Sequence, residues 1–334
     1  MGDSWEREAG MNIKVLETSI NNRQQYDISE IVSDLKWTTG LDSQPGSLSF
    51  SMLVDAKVFL RSGDIIEMIV DGKKLFKGKI FGRGKTKEAK WSVTAYDNLR
   101  YLKNEDTLLF GANTSSDRFK KICQTQGLPY KIINKSPYNC TPVIEDSHTY
   151  FSMIQDALDE TRKGYGIRYA VWDNYGTLEH FDLNNKITKI VLGDNSLMTD
   201  YSFEASIDDA YNSVKVLRED KDKGKREIYT ASHSGNIEKW GKLQMVETIS
   251  DAELNASQLK KQANDLLKEN NKETKTLDLE SIGNINLRAG NSFILRLSDL
   301  KNDGIGNDSL ALITKCSHNF GSEYSMSLEV EVVA

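Results

Sequence analysis

From Ser47 to Val54 serines at 47, 49 and 51 alternate with Leu48, Phe50, Met52 and Val54. That period of two places one face of a strand in a core and the other in water. The same reading covers Ile13, Val15 and Leu16, then Tyr26 to Ile28, then Val32 to Trp37. Asp71-Gly72 is the dipeptide of a tight hairpin turn, with strands either side through Val70 and through Leu75 to Phe81. Trp91 to Tyr96 closes this β set, and Asp97 is placed to cap a short helix over Asn98 to Lys103.

After Asn104 the pattern changes. Ser115 or Ser116 starts a helix with Phe119, Ile122 and Cys123 on one face, stopped at Gly127-Leu128-Pro129. A strand follows over Tyr130 to Ile133. Ser147 starts a second helix, burying Phe151, Ile154 and Leu158 and ending by Gly164. A hairpin then joins Ile167–Trp172 to Thr177–Phe181 across Asp173-Asn174-Tyr175-Gly176. From Leu197 the chain returns to strands: Asn212 to Arg218 and Glu227 to Thr230 around the charged tip DKDKGK, then Asn236 to Val246 with Trp240. One helix is expected over 251–271, capped by Ser250 or Asp251, with Leu254, Leu259, Ala263, Leu266 and Leu267 near one face. Strands over Lys275–Glu280, Leu287–Leu297, Leu310–Ser317 and Tyr324–Val333 complete the chain.

One stretch is written twice. Arg61 to Asp71 and the run from Arg288 match without a gap, with Arg61 over Arg288, Gly63 over Gly290, Asp64 over Asn291, Ile66 over Phe293, Met68 over Leu295 and Val70 over Leu297. Glycine before Asp or Asn permits positive φ, and the alternation after it makes a half-buried strand. Lys79-Ile80-Phe81-Gly82 and His318-Asn319-Phe320-Gly321 then lead to the closing strands. The expected fold is mainly β with an α/β insertion: two similar small antiparallel barrels, an α/β unit between them and a helix inserted in the second. The expected divisions are a leader over 1–10, a first barrel over 11–104, an α/β domain over 105–196 and a second barrel over 197–334.

Composition narrows the function more than the fold. A length of 334 residues corresponds to roughly two to three domains, each able to hold its own core. No apolar run approaches the roughly 20 residues of a membrane span, and MGDSWEREAG lacks the apolar stretch of a secretory signal, so synthesis and folding in a cytoplasm are expected. Three scattered cysteines, Cys123, Cys140 and Cys316, suggest buried thiols rather than a disulfide framework. With 43 basic and 49 acidic side chains the net charge is -6, which argues against gripping nucleic acid.

Candidate chemistry is sparse. His148, His180, His233 and His318 lack metal-ligand spacing, and the glycines at 78, 82 and 84 lie between strands rather than at a helix start, where a phosphate loop belongs. Asp220, Asp222 and Gly224 miss the calcium-loop pattern, as does Asp299 to Gly304. Cys140, Glu145, Asp146 and His148 form the most enzyme-like cluster, although Asp146-Ser147 also reads as a helix start. No catalytic, cofactor or metal residue is assigned.

The runs VTAYDNLRYLKN from Val93, FKKICQTQGLPYKI from Phe119, Ile144-Glu145-Asp146, SIDDAYNSVKV from Ser206, NIEKWGKLQ from Asn236 and RAGN from Arg288 resemble the XkdQ/YqbQ-type proteins of contractile phage tails. Tyr96, Asp97 and Trp240 stand within these runs. The resemblance extends from about Met11 to the C-terminus and implies a structural baseplate hub, not an enzyme: a homotrimer that joins a hexameric tail tube to a trimeric central spike. Tube, spike and other baseplate proteins would be its partners, with DNA at most passing through the bore. Its place would be the tail baseplate of a phage, a defective prophage or a phage-tail-like bacteriocin. The hydrolase label some relatives carry finds no motif here, and the leader before Met11 has no counterpart. A peptidoglycan-cleaving or glycan-binding tail-tip enzyme is the rival reading.

Overall fold

The computed structural model describes residues 11–41, 44–53, 58–85, 87, 90–220, 225–249, 255–306 and 308–333. The leader with Trp5, Val54, the tip Lys221–Gly224 and the helix start at Ser250, Asp251 and Leu254 lie outside them. The chain falls into two compact units, Met1–Tyr201 with Asp278–Ala334, and Ser202–Leu277.

The first β set comprises β1 (Ile13–Thr18), β2 (Gln25–Asp27), β3 (Val32–Gly40), β4 (Ser47–Leu53), β5 (Ile65–Val70), β6 (Lys73–Lys85) and β7 (Lys90–Tyr96). Alternation decides its inside: Leu48, Phe50 and Met52 of β4 and Ile66, Met68 and Val70 of β5 are buried in one core with Trp37, Ile80 and Val93. Asp71 and Gly72 both take positive φ, at 49° and 78°, as the tight turn between β5 and β6 requires.

Next come β8 (Glu105–Phe110), β9 (Asn113–Thr114), α1 (Ser115–Gln126), β10 (Tyr130–Ile132), β11 (Asn139–Cys140), β12 (Val143–Thr149), α2 (Tyr150–Tyr165), β13 (Tyr169–Asn174) and β14 (Thr177–Asp182). Both helices are capped by threonines rather than by the serines the sequence suggests, one residue before Ser115 and two after Ser147. Thr114 caps α1 in a reciprocal box with Asp117, and Thr149 caps α2 through Ser152, while Ser147 takes φ 57° inside β12. Helix α2 runs to Gly166, whose φ of 84° ends it. Phe119, Ile122, Met153, Ile154 and Leu178 hold this region together.

The second β set has β15 (Ile187–Gly193) and β16 (Met198–Ser206) before an insertion. The insertion carries more than the single helix expected. It contains β17 (Ser213–Asp220), β18 (Lys225–Ser232), α3 (Ser234–Trp240), β19 (Gln244–Ile249) and α4 (Ala256–Asn270). Strands 17 to 19 make their own sheet, ordered β18-β17-β19, with Val214, Val216 and Ala231 packed against Leu259 and Ala263 of α4. Residues 236–240, expected as strand, lie in α3 instead: the His233 ring accepts from Asn236 N and Gly241 stops the turn. Helix α4 is capped by Asn255, in a reciprocal box with Gln258.

The chain ends with β20 (Thr274–Ile282), β21 (Ser292–Arg296), β22 (Ser309–Phe320) and β23 (Tyr324–Val333). Both β sets belong to one sheet of 13 strands, ordered β16-β20-β23-β22-β3-β4-β7-β6-β5-β1-β2, with β21 bridging β22 and β15. The fold is mainly β with α/β parts, as expected. The ladders among the described residues trace an open path rather than two closed rings. No helix of the described residues is long and apolar enough to cross a membrane.

Candidate assembly surface

The twice-written stretch forms two turns with the same hydrogen bonds. Gly63 and Gly290 take φ 94° and 93°. Gly63 N donates to Ile80 O at 2.8 Å and Gly290 N to Ile313 O at 2.9 Å; Ile80 N returns to Asp64 O and Ile313 N to Asn291 O, both at 2.9 Å. Arg61 N donates to Asp64 Oδ2 at 2.6 Å, and Arg288 N to Asn291 Oδ1 at 3.0 Å. The side-chain oxygen three residues on ties off the first amide of each turn, which is why Asp and Asn are interchangeable there. These bonds set Ile80 against Ile313. The sequence pairing of Phe81-Gly82 with Phe320-Gly321 is therefore out of register, and Phe81 corresponds to Thr314.

The correspondence runs through whole strands. The first set is ordered β1-β5-β6-β7-β4-β3 and the second β15-β21-β22-β23-β20-β16, so β1, β3, β4, β5, β6 and β7 map in chain order onto β15, β16, β20, β21, β22 and β23. Leu53 N donates to Ile31 O at 3.0 Å and Ile282 N to Leu197 O at 2.9 Å, fixing β4 on β20 and β3 on β16. A bulge falls at Ile80/Gly82 of β6 and at Ile313/Lys315 of β22. One strand breaks the rule: β1 is antiparallel to β5, whereas β15 is parallel to β21.

With Ile31 over Leu197, the run Ile31-Val-Ser-Asp-Leu-Lys-Trp37 lies over Leu197-Met-Thr-Asp-Tyr-Ser-Phe203. This repeat is weak in the sequence, because only its apolar alternation and one aspartate are kept.

The open and covered edges differ between the sets. The last half of β22, Lys315 to Phe320, pairs with β3 from Gly40 to Leu35, and Leu41 N donates to Thr314 O at 2.8 Å. His318 stacks on Trp37 at 5.1 Å between centroids, and the Thr38 and Ser317 hydroxyls lie 3.0 Å apart. In β6, residues Lys73–Lys79 pair with β5 and Lys79–Lys85 with β7, so Phe81 to Lys85 has no second ladder among the described residues. Beside it lies a groove of about 430 Å³ lined by Pro45, Phe81, Gly82, Thr94, Tyr96, Arg100 and Lys103. Tyr96 meets Phe81 edge to face at 5.7 Å. At the other end of the sheet β16 pairs, among the described residues, with β20 alone. A smaller groove of about 260 Å³ is lined by Glu204, Ser206, Asp208, Asp209, Thr274 and Thr276.

Asp97 and Arg288 meet in one polar junction. Asp97 is buried and accepts from Gly46 N and Leu99 N, both at 3.0 Å. Burial first, then the Asp173 charge, pushes its carboxyl well above the usual range, and Arg288 pulls the other way. The Arg288 guanidinium lies over the Trp172 ring at 4.5 Å and the Trp37 ring at 5.6 Å. Desolvation weakens its charge while Asp97 and Asp173 support it. Burial also holds the His318 imidazole down to about 4; neutral, it donates from Nε2 to Leu287 O at 2.8 Å and accepts at Nδ1 from the Tyr324 hydroxyl, also at 2.8 Å. Trp240 ends α3, in the second unit.

The enzyme-like cluster separates. His148 contacts Glu145 at 2.7 Å, but the Cys140 thiol is buried and directed at Ala157 O and the Thr161 hydroxyl. Burial raises its pKa, the opposite of what activates a nucleophilic cysteine.

Residues 35–331 match the model of the family described as YQBQ-like. The uncharacterized protein YqbQ of Bacillus subtilis is 30% identical over 275 residues, covering 80% of this chain and 81% of that protein. Phage-like element PBSX protein XkdQ of the same organism is 29% identical over 231 residues, covering 68% and 70%. Among solved structures, the 43 kDa tail protein of prophage MuSo2 from Shewanella oneidensis superposes with a TM-score of 0.68 at 10% identity, covering 96% of this chain and 98% of that one. The fold is thus one that a phage tail protein uses.

Proposed function

The chain belongs to the YQBQ-like family, and from that premise we propose that it is a structural baseplate hub of a contractile phage tail. Three copies join a hexameric tube to a trimeric central spike. The observation that carries this reading is the pair of like β modules in one chain. Three chains with two modules each place six similar surfaces about a threefold axis, which meets a sixfold partner on one side and a threefold partner on the other. Leu53 and Ile282 sit at matching hydrogen-bonded positions and are each 53% exposed, so a trimer offers six copies of one apolar contact. The tube, the spike and other baseplate proteins are the partners, and the particle's baseplate is its place. A net charge of -6 suits a bore that lets DNA pass without holding it.

The test is the mass of the full chain in solution, alone and mixed with tail tube and spike proteins of the same particle. Three copies are expected. A chain that stays monomeric in every mixture overturns the hub. Clearing of bacterial walls that is lost on Cys140→Ala, His148→Ala or Glu145→Gln would establish the enzyme reading instead.

A further inference from the structure

We propose that the free edge of β6 in one copy pairs antiparallel with β16 of the next copy, in the register that β22 and β3 use within a single chain. This rests on the threefold reading above and assigns the contact that closes the ring.

The template is inside the molecule. β22 corresponds to β6 and β3 to β16, and β22 and β3 are joined edge to edge over six residue pairs. Each of the other two strands has an edge with no ladder among the described residues. Unpaired edges of this kind are the usual route for adding a strand from another chain. Burial follows the same division: Cys316, Ser317, His318 and Phe320 are buried, whereas Phe81, Arg83, Gly84 and Lys85, on the matching stretch of β6, are exposed. One half of a repeated design is covered within the chain, and a second copy supplies the cover for the other.

The register follows residue by residue. Lys315, Cys316, Ser317 and His318 lie opposite Gly40, Thr39, Thr38 and Trp37. Carried onto the matching strands, Gly82 faces Ser206, Arg83 faces Ala205, Gly84 faces Glu204 and Lys85 faces Phe203. Leu41, which donates to Thr314 O and is 4% exposed, corresponds to Ile207. Ile207 would then donate to Phe81 O and enter the groove beside Tyr96.

Charge agrees with this docking. The β6 side presents Arg83, Lys85, Arg100 and Lys103, and β16 with its continuation presents Glu204, Asp208 and Asp209. Opposite signs meet at each junction, and two copies of either edge repel.

The experiment is a cysteine pair in the full chain, Lys85→Cys with Phe203→Cys, oxidised at high protein concentration. The matching residues His318 and Trp37 are in ring contact, so a disulfide is expected to form between copies and to close at three chains, seen as a covalent trimer on a denaturing gel. Each single variant should give no closed trimer. Arg83→Pro removes a backbone amide that faces the free side of β6, as Cys316 faces β3, and should abolish the trimer while leaving the folded monomer. A trimer by mass that neither cross-links nor responds to Arg83→Pro overturns the pairing and leaves the hub standing. A chain that is monomeric at every concentration overturns both.

Discussion

In the second module the far half of β22 is sealed by β3, and a histidine lies stacked between Trp37 and Tyr324; in the first, the matching half of β6 is exposed, with Arg83 over the Phe59 and Trp91 rings and Lys85 over Trp91. The turn that launches each strand is nonetheless bonded alike to within 0.4 Å. The turn is thus needed to start the strand in either setting, while the residues that follow are chosen for their neighbours. Equivalent positions with unequal surroundings should respond unequally to one substitution, and that is how the comparison can be broken.

The largest contrast lies in the two arginines. Arg288 stands among Asp97, Asp173, Trp37 and Trp172, whereas Arg61 lies over the Phe59 ring at 4.9 Å and donates to Phe59 O. Arg288→Met leaves two buried carboxylates without their cation and is expected to destabilise by about 3–5 kcal/mol. Arg61→Met removes a half-exposed contact and should cost no more than about 1 kcal/mol. Urea unfolding of the two variants measures both. Equal losses would mean that the junction does not depend on Arg288.

Next come the glycines. Alanine at either position must hold a φ near 94°. That alone costs about 1–2 kcal/mol. At Gly63 the new methyl meets Ile20 at 3.5 Å, while at Gly290 it meets Phe181 at 3.3 Å and Trp172 at 3.4 Å. Gly290→Ala should therefore lose roughly 1–2 kcal/mol more than Gly63→Ala, because aromatic rings in a packed core give way poorly. Matching melting curves for the two variants would show that the core around Gly290 relaxes freely.

How much of this was legible beforehand depended on distance along the chain. The turns were readable because glycine at positive φ and the following alternation are local demands. The β3 and β16 repeat was not, since a half-buried strand needs only a period of two and leaves its identities free. The insertion was misread for a related reason. Strands at 213–249 alternate no differently from those of the main sheet, and only pairing partners show that they form a sheet of their own. The residues of the assembly surface were invisible as a site. Arg83 and Lys85 read as an ordinary solvated strand until β22 shows what the same edge does when covered.

The smallest effect concerns the one chemical difference between the two turns, aspartate at 64 against asparagine at 291. Asp64 brings a negative charge toward the buried Glu17, whose carboxyl is pushed up to about 7, by desolvation first and by Asp64 second, against the pull of Arg61. A folded-state pKa above the unfolded value of about 4.5 means that the native chain keeps a proton the unfolded chain has released. Stability from this site is present below about 4.5 and is lost as pH rises through 7. Glu17→Gln carries no proton to lose. It should match the natural chain near pH 5 and exceed it by about 1–2 kcal/mol at pH 8. His180 and His318, both held down to about 4, work in the opposite direction, losing stability as pH falls from 6.5 toward 4. They are common to both proteins, so the difference between the two unfolding curves isolates Glu17. A difference that stays flat from pH 5 to 8 would mean that Glu17 is charged in the native state, and that the aspartate at 64 is tolerated by its surroundings as readily as the asparagine at 291.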